Sequence, residues 1–143
     1  MIDFKLDSAQ PENETTNPSP DVYDLMIIGG GAAGLTSAIY AGRGALETIV
    51  LAGPLPGGQI TTTDQVENFP GFPQGISGGE LAQHIQAQAE RFTGPVVSEP
   101  VIQVDFSTNP FEAKTGNNTY RSRAAIIATG AQPRRLGVPG EQT

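Results

Sequence analysis

Tyr23-Asp24-Leu25-Met26-Ile27-Ile28 runs directly into Gly29-Gly30-Gly31-Ala32-Ala33-Gly34. No other stretch constrains the fold as much, because Gly29-x-Gly31-x-x-Gly34 lies between a buried-type strand and a helix. Each glycine has a reason in that setting. Gly29 permits a tight turn, and Gly31 lets the backbone approach a pyrophosphate with no side chain in between. Gly34 lets the helix pack closely on the strand. The helix offers unpaired N–H groups and the positive end of its dipole to an anion. The same spacing in isolation would be weak in a chain with 18 glycines.

The helix is expected from about Gly31 to Arg43. Along it Gly34, Ala38 and Gly42 make a row of small residues suited to lying close on a sheet. A second strand, 47–52, completes a βαβ unit with a right-handed crossover. Dinucleotide sites usually place Asp or Glu at the end of that second strand to hold ribose hydroxyls. Here the place holds Ala52-Gly53, so the motif leaves the nucleotide's identity open.

Residues 53–79 form a long Gly/Pro-rich segment, of the kind that is functional when it occurs inside a compact domain. Phe69 and Phe72 predict that it docks on the body. A second helix follows, with Ser77 and Glu80 in capping-box spacing and an apolar stripe of Leu81, Ile85, Ala89 and Phe92. Val96-Val97 reads as a short strand. Residues 101–123 read as an antiparallel meander with turns at Asn109-Pro110 and Gly116-Asn117-Asn118. Ala124 to Ala128 reads as a separate buried strand, and 133–143 as a linker.

Composition narrows the function. The chain has 143 residues and a net charge of −7, which argues against nucleic acid as the main partner. It has no cysteine, which excludes thiolate metal sites and cysteine catalysis within this stretch. It has one histidine, His84, read as a surface or boundary residue. No apolar run of about 18 residues is present, so no membrane helix is expected. The first ten residues lack the apolar core of a secretory signal, which makes the cytoplasm the expected setting. Residues 1–22 carry five acidic side chains against Lys5, with three prolines, and read as a disordered acidic tail. Arg134-Arg135 reads as a solvated pair, and Thr61-Thr62-Thr63 as loop hydrogen-bonding groups with no base nearby in sequence.

Three segments together carry a resemblance: GGGAAGLTSAIYAGRGAL, then GGQITTTDQVENFPGFPQGISGGEL at 57–81, then IIATGAQPRRLGVPGE at 126–141. They resemble the low-molecular-weight, bacterial- and plant-type thioredoxin reductases, from about Asp24 onward. The middle segment is the most specific. The resemblance implies an α/β fold of the three-layer FAD/NAD(P)-binding Rossmann-like type: parallel sheet, helices and antiparallel β-meander. It also implies that the domain is incomplete, with residues 23–132 its first FAD-binding segment and 133–143 leading toward an absent NADPH domain.

The resemblance further implies FAD at Gly29, Gly30, Gly31, Ala32, Ala33 and Gly34, with the pyrophosphate at Gly30 to Ala33. It places Pro54 and Leu55 near the adenosine side, Gln59 and Asn68 on the flavin half, and Gly58 among the cofactor-binding residues. It places the Val101 backbone at the adenine, and Ala128, Thr129 and Gly130 beside the cofactor. None of these is a catalytic acid, base or nucleophile. For the intact protein it implies NADPH as reductant, a cysteine pair, thioredoxin as protein substrate and a homodimer. Two alternatives remain at this stage: a related flavoprotein without redox cysteines, of the ferredoxin–NADP reductase type, and a stand-alone nucleotide-binding module. Two departures from the family pattern are expected to affect stability. Asp64 stands where threonine is usual, and Gly42 and Gly44 are expected to loosen the end of the first helix.

Overall fold

The computed structural model describes residues 21–132, 134 and 136–138. The expected tail, apart from Asp21 and Val22, and much of the expected linker lie outside the described residues. Strand β1, Tyr23–Ile28, leads to helix α1, Ala32–Arg43, and strand β2, Thr48–Leu51. A 3-10 helix, Gly58–Thr62, and helix α2, Gly78–Thr93, follow. Strands β3, Gln103–Asp105, β4, Phe111–Lys114, and β5, Thr119–Ile127, complete the order. They form one five-stranded sheet, β2-β1-β5-β4-β3. β1 runs parallel to β2 and β5, while β5–β4 and β4–β3 are antiparallel.

β1 is buried on both faces, as a central parallel strand must be. Leu25 and Ile27 join Leu35, Ala38, Val50, Leu81, Ile85 and Ala89 on the helical side. Met26 and Ile28 join Tyr23, Ile49, Leu51 and Ala113 on the other. Full burial of one such aliphatic side chain contributes about 1.5–3 kcal/mol, so this two-sided packing fixes the strand before the glycine turn begins.

The meander and the expected Ala124–Ala128 strand are not separate. β5 is continuous, pairing with β4 through Thr119 to Ser122 and with β1 through Ser122 to Ile127. Ser122 is fully buried at the changeover, and its hydroxyl donates to the Ala124 carbonyl at 2.8 Å. The expectation that Ala124 to Ala128 is buried is also corrected. Ile126 is 37% exposed and Ile127 64%. Beyond Ser122 the strand has β1 on one edge and, among the described residues, no strand on the other.

The long segment docks, as expected, but mainly through its aliphatic residues. Val66 and Ile76 are buried and exchange two backbone hydrogen bonds, at 2.8 and 3.1 Å. Phe72 packs against the core, while Phe69 stays exposed beside it. The expected short strand at Val96-Val97 is a single parallel bridge from Val97 to Leu51.

Ser77 caps α2 by accepting from the Glu80 N–H at 3.1 Å. Its stripe buries Leu81, Ile85 and Ala89, but Phe92 remains 38% exposed. The Phe92 backbone and Cβ abut Gly42 of α1. A Cβ on Gly42 would fall 2.6 Å from both the Cβ and the carbonyl oxygen of Phe92. The row of small residues on α1 therefore ends against the last turn of α2 and not against the sheet. Gly42 is a point of close helix contact. His84 is exposed, its ring roughly perpendicular to that of Phe72 at a centroid distance of 6.3 Å. No helix among the described residues is long and apolar enough to cross a membrane.

Candidate functional site

The glycines after β1 do different jobs, and their surroundings separate them. Gly29 has φ +119°, a left-handed backbone that L side chains rarely adopt, and a Cβ there would fall on the Ala128 carbonyl. A Cβ on Gly30 would fall on the Ala52 side chain, and one on Gly34 on the Gly29 carbonyl oxygen. These three are required by the protein's own packing. Gly31 is not. Its φ is −77° and ψ −179°, ordinary extended backbone, and a Cβ there would meet nothing within 4 Å.

Gly31 is also the N-cap of α1, and no side chain caps it. The first turn of α1 carries no acidic residue. The first N–H groups of the helix thus have no side-chain acceptor, which suits an external anion.

A second loop closes over this turn. The Gly57 N–H donates to the Gly30 carbonyl at 2.7 Å, and Gly31 and Gly57 form an isolated parallel bridge. Gly57 and Gly58 both have positive φ, 94° and 62°. Thr61 and Thr62 donate their hydroxyls to the Gly58 and Gln59 carbonyls, each at 2.8 Å, winding the 3-10 turn. The expected loop role of these threonines is therefore seen. The third wall is the chain leaving β5, where the Ala128 N–H continues the ladder onto the Ile28 carbonyl at 2.8 Å.

Between the three walls lies a cradle of about 490 Å³. It brings together Gly29, Gly30, Gly31, Ala32, Ala33, Pro54, Leu55, Gly58, Gln59, Ala128, Thr129 and Gly130. Three expected residues lie elsewhere. Gly34 is buried beneath the turn. Asn68 is exposed on the docked loop and is not in the cradle wall. Val101 lines a neighbouring apolar shelf with Ile28, Val104 and Thr129. Ala52, Gly57, Ile60, Thr62, Ala131 and Gln132 also line the cradle and were missed. Gly57, Ile60, Thr62, Ala131 and Gln132 lie within the segments 57–81 and 126–141 that carry the resemblance, which is the signal for them. Among the described residues no group of acidic or histidine side chains could hold a metal ion.

The cradle fits an uncharged-walled site for a dinucleotide. It has backbone N–H groups for a pyrophosphate, open room at Gly31, and an amide, Gln59, that can donate and accept.

Comparison with known proteins agrees with this geometry. The sequence pattern of the pyridine nucleotide-disulphide oxidoreductase family matches residues 23–143. Thioredoxin reductase from Chlamydia trachomatis serovar D is 48% identical over 119 residues, covering 81% of this chain and 38% of the relative. The crystal structure of thioredoxin reductase from Streptococcus pyogenes superposes with a TM-score of 0.77 at 38% identity, over 85% of this chain and 40% of that one. Thioredoxin reductase from Giardia duodenalis gives 0.76 at 44% identity, over 84% and 39%. The chain thus spans about two fifths of the length of these proteins. With its sheet order, glycine turn and open cradle in place, the chain belongs to the pyridine nucleotide-disulphide oxidoreductase family.

Proposed function

We propose that this chain forms the FAD-binding part of an NADPH-dependent thioredoxin-disulfide reductase. One observation carries the reading: Gly31 alone among the motif glycines faces open space. Nothing among the described residues requires a missing side chain there, whereas a pyrophosphate at the α1 N-terminus does. Ala32 and Ala33 complete the anion site. Pro54 and Leu55 flank the adenosine side, Gln59 and Asn68 serve the flavin half, and Gly58 lines the cradle beside them. Val101 meets the adenine from the neighbouring shelf, with Ala128, Thr129 and Gly130 on the remaining wall.

FAD bound there would supply electron transfer between NADPH and a dithiol. The chain's own residues hold and orient it, and none acts as acid, base or nucleophile. These 143 residues contain no cysteine, so the dithiol belongs to sequence outside them. In this reading residues 23–132 are the first segment of the FAD domain, and 133–143 lead toward an NADPH-binding domain. The intact protein is a cytoplasmic homodimer that reduces thioredoxin.

The test is to purify the protein that carries this chain, release its flavin by heat and separate FAD from FMN by chromatography. The expected result is FAD close to one per chain, with NADPH oxidation that depends on oxidised thioredoxin. Absence of flavin would overturn the cofactor assignment. FAD with no thioredoxin-dependent turnover would leave the cradle and remove the reductase.

A further inference from the structure

The chain leaving β5 forms one wall of the cradle, and few contacts among the described residues hold it. After the Ala128 N–H bond to Ile28, no backbone–backbone hydrogen bond among the described residues involves Thr129, Gly130, Ala131 or Gln132. All four are exposed, and Gly130 has φ +70° with open space where a Cβ would be. The tie that reaches this segment comes from 72 positions away: Gln59 Nε2 donates to the Ala131 carbonyl at 3.0 Å.

The anchor at the other end is firm. The 3-10 turn carrying Gln59 is bonded to the glycine turn through Gly57 and Gly30. It is also bonded to the start of α2, where the Gly78 N–H donates to the Thr63 carbonyl at 3.0 Å. Gly78 packs against the Ile60 carbonyl so closely that a Cβ would fall on it. Gln59 thus extends from a fixed loop to a loosely held one.

We infer that Gln59 is a positioning residue whose carboxamide pins the exit segment as the third wall of the cradle. This deepens the cofactor reading, on which the use of that wall rests. The function needs a donor, since Ala131 presents only a carbonyl. A glutamate of the same shape has no donor at neutral pH and would face that carbonyl with like polarity. The bond also fixes which end of the Gln59 amide is which. One N–H of Nε2 is committed to the protein, so Oε1 and the second N–H are left to meet a ligand. Ligand and latch favour the same closed wall, so each strengthens the other.

The sequence supplies a reporter. Arg134-Arg135 lies just beyond the latch. In the cofactor-free form of the protein that carries this chain, an arginine-specific protease should cut there slowly. Gln59→Glu and Gln59→Ala should speed that cut roughly 3–10-fold, the range expected for losing one hydrogen bond. The melting temperature and the cutting rate at Arg43 should stay unchanged. Addition of FAD should slow the Arg134-Arg135 cut in the parent by a larger factor than in either variant. Equal cofactor-free rates for parent, Gln59→Glu and Gln59→Ala would overturn the latch. So would a Gln59→Glu rate equal to the parent with only Gln59→Ala raised, since shape and not the donor would then matter. Because the decisive rates need no FAD, a protein that failed to bind FAD would sink the cofactor reading and leave this inference standing.

Discussion

The Gly57 N–H lies 2.7 Å from the Gly30 carbonyl oxygen, joining the loop after β2 to the turn after β1. That bond needs Gly57 at φ +94°, and a Cβ there would come within 2.6 Å of Thr61 Cγ2 and 2.7 Å of Ala82 Cβ. Gly57→Ala therefore meets two costs together, a left-handed backbone and an overpacked contact with α2. We expect a loss of about 1–3 kcal/mol, read as a fall in the urea midpoint with an unchanged slope. An unchanged midpoint would show that the loop re-forms without the bond.

Gly42→Ala tests the contact between the helices. Helix propensity alone predicts a gain of about 1 kcal/mol, because alanine replaces glycine inside α1. The 2.6 Å approach to the Phe92 carbonyl predicts the opposite sign, since a backbone atom cannot rotate away as a side chain can. Thermal melting should fall on substitution. A rise would mean that α1 and α2 separate freely at that end.

Glu99 gives the chain an acid-sensitive contact. The Thr115 hydroxyl foremost, with the Asn117 and Asn118 side chains, holds its carboxyl below the ordinary value of 4.5, and burial opposes this. Asn117 Nδ2, in the β4–β5 turn, lies 3.4 Å from Oε1 of Glu99, which precedes β3. A depressed folded value means that the ionised form stabilises the fold. That contribution is complete above the unfolded value and is lost as pH falls from about 4.5 through the lower folded value. Amide exchange at Asn117 and Asn118 should accelerate over that window in the parent and be flat with pH-corrected rates in Glu99→Gln. A window in Glu99→Gln equal to the parent's would assign the effect to another carboxylate.

The parts of the fold legible in sequence were those governed by local pattern. β1, the glycine turn, α1 and the Ser77 cap each depend on residues within a few positions of one another. What escaped depends on distant partners. Thr119 to Ile127 holds no Gly or Pro, yet its local pattern reads as the end of a meander at 123 and a separate apolar strand from Ala124. Only pairing with β4 at one end and β1 at the other shows that it is one. The contact between Phe92 and Gly42 joins positions fifty apart, beyond the reach of any local pattern. In the site, the residues on the three loops gathered as expected, whereas Asn68 and Val101 lie outside the cradle wall. Their expected place came from resemblance, and no local rule links them to the turn.

The sharpest prediction separates Gly31 from Gly34, which look alike in sequence. Gly31→Val should leave folding intact, because the backbone there is ordinary and the space is open. It should abolish FAD retention, because the new side chain projects into the cradle at the helix N-terminus. Several charge-assisted backbone hydrogen bonds would be lost together. Gly34→Ala should do the reverse in order: the added Cβ falls on the Gly29 carbonyl, so the turn cannot close and the fold itself weakens. Gln59→Ala should lower FAD affinity by about tenfold at most, the worth of one or two polar contacts. In the protein that carries this chain, the measurements are the melting temperature of the cofactor-free form and the ratio of flavin to protein absorbance after gel filtration. Full flavin occupancy in Gly31→Val would remove the pyrophosphate from this turn. A lowered melting temperature in cofactor-free Gly31→Val would show that the open space at Gly31 serves the protein's own packing, and the observation that carries the cofactor reading would then lose its force.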